Sequence, residues 1–180
     1  MRARLAIAIL VVASALHAQG SDYAEKRPFA AGALTLGALG FARPPVTTGV
    51  VGGYGYGPVG DVLIGGLGGS TTGDHGRSNA SYGLATIGYA VDRREARQFY
   101  PFIGLGAGVL RARSGPNHRG FLMGAGLGAD ILLSPDHGLL LGTRAGYIAR
   151  SANDDESVAY FVVAFGAGAR HHPPTVVARQ

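Results

Sequence analysis

The chain of 180 residues contains no cysteine and no tryptophan. Without cysteine it can form no disulfide, no cysteine-based metal or redox site and no lipidated cysteine of the bacterial lipoprotein type. Charged residues are also few, at 15% of the chain, and the net charge is +5. The basic residues are scattered along the sequence, whereas nucleic-acid binding requires a dense basic surface. The composition therefore predicts no disulfide framework and no nucleic-acid partner.

Long hydrophobic runs are lacking as well. The N-terminal apolar stretch, residues 5–16, has 12 residues, whereas a helix that spans a bilayer needs about 20. It follows the basic sequence MRAR and leads to small residues at positions 13–15 and at Ala18. This pattern is typical of a secretory signal peptide. We predict cleavage after Ala18, with Ala15 as the second choice; the alternative, a membrane anchor, requires a longer run.

Glycine, by contrast, is abundant. It occupies 31 of the 180 positions, more than twice the average share of about 7%. There is no three-residue period, and 47% of the residues are hydrophobic, so neither a collagen helix nor disorder fits this composition. An exported, apolar chain without a spanning helix points to a β-barrel, which is the other structure that satisfies its backbone hydrogen bonds within lipid.

Eight segments of about ten residues alternate in a period of two and are separated by turn residues. They span residues 29–41, 46–57, 61–69, 81–91, 100–112, 120–133, 138–150 and 158–170. An even number of antiparallel strands leaves both termini on one side, the periplasm, and directs the longer connectors outward. The connector DRREARQF, residues 92–99, is longer than a periplasmic turn usually is. We therefore predict an all-β, eight-stranded antiparallel up-and-down barrel.

The last strands have the clearest faces. In 120–133 the odd positions from Phe121 to Leu133 are apolar, whereas the even positions include Gly124, Gly126, Gly128 and Asp130. The following two segments alternate in the same way. Because successive side chains of a strand point to opposite faces, we expect an apolar face toward lipid and a small or polar face toward the lumen.

The segment YPFIGLGAGV, residues 100–109, alternates too. Its odd positions from Ile103 to Val109 are expected to face lipid and its glycines to face the lumen, with Tyr100 and Phe102 in an aromatic girdle at the inner leaflet. The alternative is a helical interpretation, in which Gly-x-x-x-Gly spacing favours contacts between transmembrane helices. Glycine at every second position would instead surround such a helix and cost about 1 kcal/mol per residue relative to alanine.

The leader, the eight segments, YPFIGLGAGV and FVVAFGAGAR (residues 161–170) together resemble the small outer-membrane β-barrels of the OmpA, OmpX and opacity-protein type. The chain departs from these families in lacking a terminal aromatic residue, since Phe165 is its last one. The resemblance covers nearly all of the mature chain. Together with the residues, it divides the chain into consecutive parts. These are a signal peptide (1–18), a periplasmic lead-in (19–28), a transmembrane barrel (29–170) and a tail (171–180).

The resemblance implies a monomeric outer-membrane protein with a structural or surface-interaction role and no cofactor. Its partners would be outer-membrane lipids, lipopolysaccharide and the outer-membrane assembly machinery. The alternative is a lipid-modifying enzyme, a lipid A deacylase or acyltransferase, for which Asp74, His75 and Ser78 supply an acid, a base and a nucleophile. Polar loops are rich in such residues, and we expect no enzyme.

Two further sets of charged residues are candidates for binding or packing. Asp130 and Arg144 fall on the glycine-bearing faces of neighbouring strands, so we expect an ion pair in the lumen or, alternatively, the charged constriction of a narrow passive pore. Basic residues in or beside the outward connectors are candidates for contact with lipopolysaccharide phosphates. They are Arg43, Arg77, Arg113, Arg119 and Arg150. The adjacent His171 and His172 are assigned to a solvated tail, and no metal site is predicted.

Overall fold

The computed structural model describes residues 28–42, 45–72, 79–94, 96–111, 119–134, 138–150 and 157–169. All regular structure in these ranges is β-strand. The strands are β1 (Ala30–Ala42), β2 (Pro45–Val59), β3 (Val62–Thr71), β4 (Asn79–Tyr89), β5 (Asp92–Arg94), β6 (Arg97–Arg111), β7 (Arg119–Ser134), β8 (Leu139–Arg150) and β9 (Ser157–Ala169). None of these residues lies in a helix long and apolar enough to cross a membrane. The leader and the tail lie outside the described residues.

The eight long strands close into one barrel. Each pairs antiparallel with its neighbours in the order β4-β3-β2-β1-β9-β8-β7-β6, and pairing between β4 and β6 joins the two ends of the sheet. The prediction of an eight-stranded antiparallel up-and-down barrel is therefore confirmed. Closure leaves no long strand with an unpaired edge, which removes the open hydrogen-bonding groups of a flat sheet.

The connector between the fourth and fifth long strands is a strand pair rather than an open turn. β5 pairs with the beginning of β6, which starts at Arg97, three residues earlier than predicted. The register shifts by one residue between the pairs Gly88↔Phe102 and Asp92↔Phe99. This one-residue insertion is a β-bulge, and it lets the hairpin continue beyond the end of β4.

The two ends of the barrel differ in what they carry. The terminal end is where β1 begins and β9 ends, and it also carries the links from β2 to β3, β4 to β6 and β7 to β8. The opposite end, called the loop end below, carries the remaining connectors. These connectors include residues 43–44, 73–78, 112–118 and 151–156, which lie outside the described residues.

The outer face of the barrel is apolar, as predicted for the last three long strands. The odd positions of β7 point outward, with 52% of Phe121 and 43% of Leu127 exposed. In β6, Ile103 and Leu105 are half exposed on the same outer face. The alternation in the sequence therefore identified the outward side chains of these strands correctly, because strand geometry by itself sets the alternation.

Tyr100 and Phe102 do not lie in an outer aromatic girdle, and that prediction is wrong. Both point into the barrel, where 3% and 7% of their surfaces remain exposed. They occupy even positions of β6, as Gly104 does, and the even positions of this strand all face inward. The period of two assigns a single face to all of these residues, so they cannot be divided between the lumen and an outer border.

Toward the loop end the interior is filled by large apolar side chains, which corrects the expectation of a small or polar lumen for that part of the barrel. Near the loop end a layer of aliphatic residues is almost wholly buried. Its members are Leu39, Val50, Leu110, Leu122, Ile148 and Val158. The interior of an eight-stranded barrel is just wide enough for side chains to fill it. Glycines on the inner face therefore alternate with large residues rather than lining an open channel.

Candidate functional site

The structure brings Asp130 of β7 and Arg144 of β8 together inside the barrel. The Nη2 atom of Arg144 lies 3.5 Å from Oδ2 of Asp130. Asp130 has no exposed surface, and only 4% of Arg144 is exposed. In the ladder between the two strands Asp130 pairs with Gly142, so the acid and the base are diagonal neighbours on the inner face.

Three tyrosines donate hydrogen bonds to the Asp130 carboxylate. The hydroxyl of Tyr54 lies 2.5 Å from Oδ1, and the hydroxyls of Tyr56 and Tyr100 lie 2.5 Å and 2.7 Å from Oδ2. Tyr54 and Tyr56 belong to β2, which is four strands away from β7 in either direction around the barrel. Their side chains therefore cross the lumen. With Arg144, the buried carboxylate has four hydrogen-bond donors.

Arg144 is enclosed by aromatic rings. Its Nε donates to the Tyr100 hydroxyl at 3.0 Å, and Nη2 donates to the same oxygen. The guanidinium carbon lies 2.9 Å from the centroid of the Tyr54 ring and 5.4–5.9 Å from those of Tyr56, Tyr100 and Phe102. A cation held over aromatic faces at such distances is attracted by the ring quadrupoles. The attraction of the rings thus offsets part of the hydration free energy that the Arg144 guanidinium loses on burial.

Gln98 joins this cluster to the segment before β1. Its Nε2 donates to the Tyr56 hydroxyl and, at 3.4 Å, to the carbonyl of Phe29. Its Oε1 accepts from the backbone nitrogen of Phe29 at 3.3 Å. Gln98 is 2% exposed and Phe29 is 3% exposed, so the chain enters the barrel mouth and is held there by a side-chain amide. The sequence analysis did not identify Gln98 or Phe29 as part of the cluster. The available signal was that Gln98 has the same parity as Tyr100 and therefore points to the same face of β6.

Two glycines provide the space that the cluster occupies. A Cβ atom at Gly142 would overlap the Asp130 carboxylate, and one at Gly128 would overlap the ring of Tyr100. Gly128 is the ladder partner of Tyr100, and Gly142 is the ladder partner of Asp130. These glycines on the inner face therefore lie directly beside bulky residues and leave room for their side chains.

A small cavity adjoins the cluster and has room for about one water molecule. Its wall includes Arg144, Tyr56 and Tyr100 of the cluster, together with Leu67 and Thr86 from β3 and β4. The arrangement forms a hydrogen-bonded connection between β2, β6, β7 and β8.

The other candidate residues are divided between described and undescribed parts of the chain. Arg119 begins β7 and is exposed on the outer face, whereas Arg150 ends β8 with its side chain against Gly120 on the inner face. The structure does not bring these two arginines together. The remaining candidates lie outside the described residues. They are Arg43, Asp74, His75, Arg77, Ser78, Arg113, His171 and His172.

No three histidine, aspartate or glutamate side chains among the described residues form a group that could hold a metal ion. No protein-family model, curated protein or solved structure matches the chain.

Proposed function

We propose that this chain is a small outer-membrane protein, exported by its signal peptide, whose barrel spans the membrane and has a structural or surface-interaction role. The observation that carries the proposal is the mainly apolar outer face of the barrel. Among the described residues, no outward-facing position between the rims is charged. A lipid-facing arginine at mid-membrane costs about 2–4 kcal/mol, so a membrane barrel is expected to lack charges there.

The height of this band supports the proposal. The outward apolar residues of β6 run from Phe99 to Val109, bracketed by Arg97 and Arg111. Ten residue intervals at about 3.4 Å give about 34 Å along the strand. At the tilt of about 40° that is typical of membrane barrels, the band is about 26 Å tall, close to the apolar band of about 25 Å in outer-membrane proteins.

The band continues around the barrel. Large apolar side chains on other strands are 43–78% exposed, including Leu34, Ile64, Ile87, Leu127 and Phe165. Water-soluble monomers rarely expose a contiguous apolar patch above a few hundred Å². A lipid environment covers such a surface without a protein partner, which agrees with the proposed monomer.

Aromatic residues lie near both ends of the outer face. Tyr89 and Phe99 lie toward the terminal end, and Phe121 and Tyr147 lie toward the loop end. Aromatic residues at these two levels are typical of the girdles at the membrane interfaces. They take the role that the sequence had suggested for Tyr100 and Phe102.

The proposed partners follow from this orientation. With the termini in the periplasm, the loop end faces the lipopolysaccharide leaflet, where outward Arg119 is well placed to meet anionic phosphates. Insertion by the outer-membrane assembly machinery completes the proposal. A structural role is proposed ahead of passive permeation because Asp130, Arg144 and the tyrosines bonded to them occupy the lumen of the terminal half.

Membrane fractionation with a heat-modifiable gel shift tests the proposal. We expect the folded chain in the outer-membrane fraction, and a change in its electrophoretic mobility on boiling. A matched pair of variants sharpens the test. Leu105→Arg, at mid-band, is expected to lower the free energy of folding into lipid by about 2–4 kcal/mol, whereas Val59→Arg, at the rim, costs about 0–1 kcal/mol.

Leu105 and Val59 are 55% and 65% exposed, so a water-soluble barrel would tolerate both changes equally. Equal folding yields for the two variants, or recovery of the wild-type chain in the soluble periplasm without a gel shift, would contradict membrane insertion.

A further inference from the structure

The cluster around Arg144 has the composition of a cation-binding site. It combines four aromatic rings with one carboxylate and the hydroxyl of Tyr100, all buried. We propose that the terminal half of the barrel interior is a binding site for a guanidinium group, which the protein fills with its own Arg144. The proposal rests on interior geometry and does not depend on where the barrel resides.

The binding groups all come from strands other than the one that carries the cation. Tyr54 and Tyr56 lie on β2, Tyr100 and Phe102 on β6, and Asp130 on β7, whereas the guanidinium arrives from β8. The three tyrosine hydrogen bonds to Asp130 do not involve Arg144 as donor. We therefore expect truncation of the arginine to leave a carboxylate and an aromatic cage in place, with space where the side chain was.

The geometry selects a planar cation with several N–H donors. The guanidinium lies over the face of Tyr54, while its Nε and Nη2 both reach the Tyr100 hydroxyl and Nη2 also reaches Asp130. A planar fork of donors can stack and donate at the same time, whereas an ammonium is compact and strongly hydrated. The adjacent cavity adds room for about one water molecule, so only a small ligand fits.

Chemical rescue of Arg144→Ala tests the proposal. Ethylguanidinium reproduces the arginine side chain beyond the Cβ atom that alanine retains. We expect the unfolding midpoint of the detergent-solubilised variant to rise saturably with ethylguanidinium. At 100 times its dissociation constant, the ligand multiplies the folded-to-unfolded ratio by about 100. The wild-type protein, whose site is occupied, should show only the monotonic decrease that guanidinium salts cause as denaturants.

Two controls isolate the site. Ethylurea has the same shape but no charge, and it should not rescue Arg144→Ala. The double variant Arg144→Ala/Asp130→Asn keeps the aromatic rings but loses the carboxylate charge, so it should lose most of the ethylguanidinium effect.

A folded Arg144→Ala variant that shows no saturable rescue, or that responds equally to ethylurea, would overturn the proposal. If Arg144→Ala does not fold alone, its refolding yield in detergent with ethylguanidinium is compared with the yield in ethylurea. An increase specific to the cation supports the site, and equal yields contradict it.

Discussion

The two halves of the barrel interior are filled in different ways. In the terminal half, Asp130 accepts hydrogen bonds from tyrosines on two other strands and from Arg144. In the loop half, aliphatic residues such as Leu122 and Ile148 are fully buried without any polar contact of their side chains. Hydrophobic burial is non-directional, whereas the hydrogen bonds of the terminal half require particular atoms at particular positions.

Because of this difference, we expect the two halves to contribute differently to strand register and to stability. A slip of one residue in a strand moves every side chain to the opposite face. A slip in β7 would place Asp130 on the apolar outer face, away from Tyr54, Tyr56 and Arg144. We therefore expect the terminal half to specify the register of four strands, and the loop half to contribute burial that many similar residues could supply. Three predictions test this contrast.

The largest effect is expected from Asp130→Ala. The substitution leaves the Arg144 guanidinium buried without its counter-charge, and breaking a buried pair from one side costs about 3–5 kcal/mol. Urea unfolding in detergent micelles measures this loss of unfolding free energy. Asp130→Asn, which keeps the shape of the side chain and can still accept hydrogen bonds, should cost less. Equal stability of Asp130→Ala and the wild type would show that the polar half does not stabilise the barrel.

In the loop half we expect a slightly smaller loss of unfolding free energy, and we expect a substitution that keeps the side-chain volume to be tolerated. Leu122→Ala removes a fully buried side chain and should destabilise the barrel by about 2–5 kcal/mol, depending on how far the site collapses. Leu122→Met keeps the volume and should cost less than about 1.5 kcal/mol. The same unfolding measurement compares the pair. A severe loss in Leu122→Met would mean that this layer is as specific as the polar one.

The smallest effect is expected from removing one hydroxyl in each half. Tyr160 lies in the loop half, where its hydroxyl is buried and has no hydrogen-bond partner among the described residues. Tyr160→Phe should raise the unfolding free energy by about 1 kcal/mol, because an unsatisfied buried polar group is removed. Tyr54→Phe, the matched change in the terminal half, should lower it by about 1.5–3 kcal/mol because the hydroxyl donates to a charged group. Changes of the same sign at both positions would remove the contrast.

Much of the fold was predictable because it depends on local alternation. The eight strands and the outward side chains of β7 to β9 follow from a period of two. The placement of Asp130 and Arg144 on neighbouring inner faces follows from the same rule, since the two residues are only 14 positions apart. The prediction for Tyr100 and Phe102 is wrong because an aromatic pair before a run of glycines is also typical of a girdle at the membrane border. The parity of the two residues, which is that of the inward glycines, places them inside the barrel.

The remaining features of the cluster required contacts between distant parts of the chain. Tyr54 and Tyr56 reach a carboxylate 76 and 74 residues away, and Gln98 holds the backbone of Phe29 across 69 residues. No sequence spacing identifies such partners. They meet only because β2 and β7 lie opposite each other across the lumen of a closed barrel.

By itself, the sequence determined that this protein forms β-strands, how many long strands there are and which side chains of the last ones point outward. These properties depend on the alternation of neighbouring residues and on turn chemistry, and both are local. Only the tertiary structure decided what fills the interior and which residues meet there. Closure sets the width of the lumen, and only closure brings an arginine, a carboxylate and three tyrosines from four strands to one point.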